Sequence, residues 1–85
     1  MALIKKTEYL TFDSTVPEGM KTNVISVVNN RSGDEIGKIA WYSPWRQYCF
    51  LPKGNTVWNL QCMRDVLSII NQLMGERRGK SREIH

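Results

Sequence analysis

Between Asn59 and Gly75, every apolar residue falls on one half of a helical wheel and every polar residue on the other. At 100° per residue, Leu60, Cys62, Met63, Val66, Leu67, Ile69, Ile70, Leu73 and Met74 share one semicircle. Gln61, Arg64, Asp65, Ser68, Asn71 and Gln72 fill the other. The spacing predicts a helix over Leu60–Met74. Asn59 can cap its first turn with a side-chain oxygen, and Gly75 is a natural C-terminal stop. A stripe this wide lies across a sheet better than along one neighbouring helix. The core expected from it sets Met63, Val66, Leu67, Ile70 and Leu73 against Ile39, Trp41 and Val27 or Val24.

The sheet should lie just upstream. Val24-Ile25-Ser26-Val27-Val28 is a strand by its β-branched content. Asn29–Asp34 is a turn, with Gly33 free to take positive φ and the Asn and Asp side chains able to bond nearby backbone. Glu35–Tyr42 is the second strand. Ser43-Pro44 forces a reversal, because proline cannot donate to a ladder. Trp45–Leu51 is the third strand, closed by Pro52-Lys53-Gly54-Asn55. The fold class expected is α+β: a three-stranded antiparallel meander with one C-terminal helix on one face. Tyr9–Phe12 could add a short N-terminal strand. Residues 1–21 read as an extended segment and loop, 22–75 as the β-β-β-α domain, and 76–85 as a basic tail expected to be disordered.

The strands are apolar on both sides. Val24 and Val28 alternate with Ile25 and Val27, Ile39 and Trp41 with Ala40 and Tyr42, and Trp45, Cys49 and Leu51 with Arg46, Tyr48 and Phe50. A sheet with one wet face alternates more cleanly. One face takes the helix, and the other calls for cover from residues 1–20, a second copy or a partner.

At 85 residues the chain is one small domain, and its formal charge is +4. That excess suits an acidic partner without demanding one. Half of it sits in the tail, where Arg77, Arg78, Lys80 and Arg82 outnumber Glu76 and Glu83. Cys49 and Cys62 show no CxxC spacing, and with His85 they cannot supply the usual four zinc ligands. Reduced thiols, no metal and no cofactor are expected. The opening Met-Ala-Leu-Ile-Lys-Lys is too short before its charges for a signal peptide, and no run reaches the ~20 apolar residues of a membrane span. A soluble, cytoplasmic protein is expected.

The segment Gly37–Pro52, GKIAWYSPWRQYCFLP, followed by Thr56-Val57-Trp58 and the helix, resembles small uncharacterised bacterial and phage proteins. Those carry a similar G-x-I-x-W-Y-x-x-W-R-x-Y-x-F-x-P run ahead of one helix. The resemblance covers about half the chain; it implies a fold and no activity. In outline, three strands and a helix also look like the sheet-type DNA-binding domains of some integrases, an analogy of fold alone.

Enzymatic chemistry is not expected. The chain has no Gly-rich phosphate loop, no base near either cysteine, and no carboxylate pair beyond the adjacent Asp34-Glu35, whose side chains point to opposite faces in a strand. A non-enzymatic binding module fits better, with nucleic acid favoured as ligand. Ile36–Pro52 holds five of the eight aromatic rings. Arg46 could read a guanine edge, Lys38 and Lys53 could meet phosphates, and Tyr42 and Tyr48 could stack on bases. The competing reading is a protein-interaction module or homodimer, because Trp, Tyr and Arg equally anchor protein interfaces.

Overall fold

A computed structural model of the chain describes residues 2–83. Five strands and one helix follow one another: β1 (Ala2–Lys6), β2 (Leu10–Thr15), β3 (Val24–Asn29), β4 (Glu35–Tyr42), β5 (Gln47–Pro52) and α1 (Leu60–Glu83). The strands form one antiparallel sheet in the order β1-β2-β3-β4-β5. This corrects the expected three-stranded meander. Residues 1–21, read as an appended segment, supply two further strands, and Leu10 and Phe12 on β2 are fully buried.

The added strands are built by local chemistry. Pro17 starts a reversal closed by the Met20 N–H donating to the Pro17 carbonyl at 3.0 Å, with Gly19 at φ 82°. Positive φ at the third position is what a type II turn asks of its glycine. At the other end of the sheet, the Asn30 side chain donates to the carbonyls of Thr7 and Glu8 and accepts from the Thr11 hydroxyl. It thereby ties the β1–β2 turn to the β3–β4 turn. That second turn forms as expected: Gly33 takes φ 77°, and the Asn29 side chain accepts from the Arg31 and Ser32 N–H groups.

The pairings Phe12–Val27, Ile25–Ile39, Ile39–Phe50 and Trp41–Tyr48 put these side chains on one face. The core joins Leu10, Phe12, Ile25, Val27, Ile39 and Tyr48 to Cys62, Val66, Ile69 and Leu73 of the helix. Gly37 is required at its place on β4. A Cβ there would lie 2.6 Å from the Phe50 ring and 3.2 Å from the Leu51 carbonyl oxygen.

The helix begins where the sequence places it, with the Asn59 side chain accepting from the Cys62 N–H at 2.8 Å. It does not stop at Gly75 but runs to Glu83. An internal glycine costs only about 1 kcal/mol relative to alanine; Gly79 adds a second such cost, but Glu76, Arg77, Arg78, Lys80 and Arg82 favour helix. No proline ends the segment, Gln72 bonds Glu76 one turn on, and the Arg77 guanidinium lies 3.9 Å from the centre of the Trp41 ring. The end of the expected disordered tail, residues 84–85, lies outside the described residues.

The helix also presents a different stripe to the sheet than the centre of its apolar half. Val66 and Leu73 are buried as expected, but Met63 and Leu67 are exposed and Ile70 is only half-buried. Cys62, Ile69 and even Asp65, assigned to the polar half, take the inner positions. The Asp65 carboxylate accepts a hydrogen bond from the Gln61 side chain at 2.9 Å. The centre of the buried face is thus rotated by about 75° from the centre of the apolar semicircle.

Candidate interaction surfaces

Two surfaces follow from this arrangement. The first is the sheet face turned away from the helix. Its centre is polar: the pairings Asp13–Ser26 and Ser26–Lys38 form a row, and Glu35 joins it. The Ser26 hydroxyl donates to the Glu35 carboxylate, and the Lys38 and Lys53 ammoniums lie 4.0 Å and 3.5 Å from its other oxygen. The Ser26 hydrogen bond holds the Glu35 carboxyl below its ordinary pKa against the opposing effect of desolvation, and the charges of Lys38 and Lys53 lower it further. Val24, Val28, Ala40, Cys49 and Leu51 surround this row. The face is mixed rather than apolar, and β1 and β2 extend it sideways instead of covering it.

The five residues expected to form a binding site do not converge here. Lys38 and Lys53 share one carboxylate, which cancels one of their two charges. Tyr48 is on the opposite face and buried, its ring edge-on to Trp41 at 5.4 Å between centroids. The Tyr48 N–H donates to the Met74 sulfur at 3.5 Å. Tyr42 and Arg46 sit at the tip of the β4–β5 hairpin, because Trp45 and Arg46 belong to the turn rather than to the third expected strand. Arg46 takes φ 53° there, and Trp45, two-thirds exposed, packs edge-on to Tyr42 at 5.1 Å. Cys49, on the outer face by strand alternation, is separated by the sheet from Cys62 on the helix.

The second surface was not singled out from the sequence. Because the helix is rotated, half of its apolar stripe lies beyond the sheet, along β5. There Met63, Leu67 and Ile70 line a groove of about 380 Å³ whose other wall is Phe50, Pro52 and Trp58. The wall is fixed in place. Trp58 meets Phe50 edge-on at 4.6 Å, its indole N–H donates to the Thr56 hydroxyl at 2.8 Å, and that hydroxyl donates to the Lys53 carbonyl at 2.7 Å. Among the described residues no charged side chain lines the groove. Leu60, two turns before Leu67 along the helix, is 65% exposed. The groove's signal in the sequence is the width of the apolar semicircle, which exceeds what one sheet face covers.

Among the described residues no helix is long and apolar enough to cross a membrane. No family model and no solved structure matches the chain. A protein of Acholeplasma phage L2, the "Uncharacterized 9.3 kDa protein", is 40% identical over 75 residues, spanning 88% of this chain and 96% of that one. The expected likeness to small phage proteins holds at that level, and the chain belongs to the same family as this phage protein.

Proposed function

We propose that this protein is a non-enzymatic interaction module that binds an apolar, helical protein surface in the groove between α1 and β5. The observation that carries the reading is the groove itself. It brings together two aromatic rings, a proline and three long aliphatic side chains, with no charge among them. Depletion of charge, with aromatic residues and methionine at the centre, is the composition of interface cores. The flanking edge of β5 favours a helix over an added strand. Pro52 has no N–H to offer and Met74 occupies that of Tyr48, so the edge is blunted at both ends.

Nucleic acid, favoured by the sequence, keeps the hairpin tip with Tyr42, Trp45 and Arg46 and the basic end of the helix. It loses Tyr48 to the core, and Glu35 offsets one of the charges of Lys38 and Lys53. The two classes are separated by placing a photo-crosslinking residue at Leu67 in one preparation and at Trp45 in another, inside the producing cell. A nuclease-resistant polypeptide adduct from position 67, lost on Met63→Lys, is the expected result. A nuclease-sensitive adduct from position 45 with none from position 67 would turn the reading to nucleic acid.

A further inference from the structure

We infer that the occupant of the groove is a second copy of this chain, the two helices packing antiparallel about a twofold axis at Leu67; this rests on the protein-binding reading above. The first reason is spacing. Leu60, Met63, Leu67, Ile70 and Met74 recur at intervals of three, four, three and four, the repeat of a coiled-coil seam. Cys62, Val66, Ile69 and Leu73 make a second such row, and that one is buried on the sheet. Its own fold uses the second row and part of the first: Ile70 and Met74 are half-buried against the core, and Leu60, Met63 and Leu67 are left facing solvent. Leu60, Met63 and Leu67 are 65%, 58% and 56% exposed.

The second reason is self-complementarity. About an antiparallel axis at Leu67, Leu60 of one copy reaches the exposed edge of the half-buried Met74 of the other, Met63 lies next to Ile70, and Leu67 meets itself. Along the outer flank Arg64 then lies beside Asn71 of the other copy, whose amide oxygen can accept from it. A parallel pairing would set Arg64 beside Arg64. Opposed helix dipoles also favour the antiparallel form.

The third reason is area. The three exposed seam residues and the aromatic wall form one contiguous apolar patch on each copy, of the kind that marks interaction sites. A twofold contact limited to this patch is small, at the low end of specific interfaces. A weak, reversible dimer is the outcome, weakened at low salt by repulsion between two chains of charge +4. Raising salt should tighten it, the reverse of nucleic-acid binding.

The test is sedimentation of the full chain over micromolar to millimolar concentration at low and high salt. The mass should climb from 9.9 kDa toward twice that value, earlier at high salt. Leu67→Lys, which sets two cations on the axis, should weaken association by about 100-fold or more. Because position 67 is exposed, this variant should keep the melting temperature of the wild-type monomer. In a Cys49→Ser background, Leu67→Cys should oxidise to a covalent dimer, and Ser68→Cys should not. A chain that stays monomeric at millimolar concentration, or a dimer unaffected by Leu67→Lys, would overturn the inference. An apolar dye that binds the monomer and is displaced by Leu67→Lys would leave the groove open to a different protein. Failure of the monomer to bind dye would remove the groove reading as well.

Discussion

Arg46 closes the β4–β5 hairpin with φ at 53°, a left-handed conformation that crowds the Cβ of any L-residue. Non-glycine residues pay roughly 1–2 kcal/mol for it. Arg46→Gly should therefore raise stability by about 1 kcal/mol, read as a higher midpoint in urea, while Arg46→Ala should not. A stabilised Arg46→Gly protein would leave the arginine without a folding role and point to its charge. Glu35 is linked to pH instead. Its carboxyl is held below the ordinary value by the Ser26 hydroxyl first and by Lys38 and Lys53 next. A depressed folded-state value means stability that is complete above the unfolded glutamate pKa of about 4.3 and lost as pH falls through the folded value. Ser26→Ala should flatten this acid limb of a stability–pH profile and leave neutral pH less affected. A profile unchanged by Ser26→Ala would show that the hydroxyl does not hold the carboxylate. The cap at Asn59, the glycine at position 33 and the limits of β4 were all legible in the sequence, because each is decided by contacts within a few residues. The turn at Trp45-Arg46 was not, since neither residue advertises positive φ.

The helix shows why the pattern of one element does not fix its pose. A wheel divided into halves states which side is apolar, and only the neighbouring elements decide how much of that side is covered. Beside β5, the sheet reaches Cys62, Val66, Ile69 and Leu73 and leaves Met63 and Leu67 outside. Ile69→Ala should cost about 2–5 kcal/mol, the usual loss at a fully packed site. Leu67→Ala should cost less than about 1 kcal/mol at concentrations where the chain is monomeric. Ile70, expected at the centre of the core, is half-buried and should fall between them. Chemical denaturation of the three variants in parallel gives the order, and equal losses at 67 and 69 would contradict the rotation. Gly75 misled the sequence reading because a stop signal acts only where the following residues fail to continue the helix. Here Glu76 and Arg77 do continue it, and the Trp41 ring receives the guanidinium.

For the whole molecule, the N-terminal quarter of the chain is structural. Leu10 and Phe12 are as deeply buried as Ile25, Val27 and Ile39. Their alternation with Thr11 and Asp13 is the period-two signal of a half-buried strand, but six residues bounded by charge and a Pro-Gly loop carried it weakly. Phe12→Ala should cost about 3–5 kcal/mol, and a fragment starting at Thr22 should not give a cooperative melt. A cooperative transition in that fragment would return residues 1–21 to the role of an appendage. The order β1-β2-β3-β4-β5 has a consequence for the way the chain reaches this state. Each strand pairs only with its neighbours in sequence, so the sheet assembles through four successive short loop closures, each entropically cheap. The one distant event is the arrival of the helix on Leu10 and Phe12, roughly fifty residues away. The search for the native state is therefore local nearly to its end, and the slow step should be the docking of a helix onto a ladder already zipped.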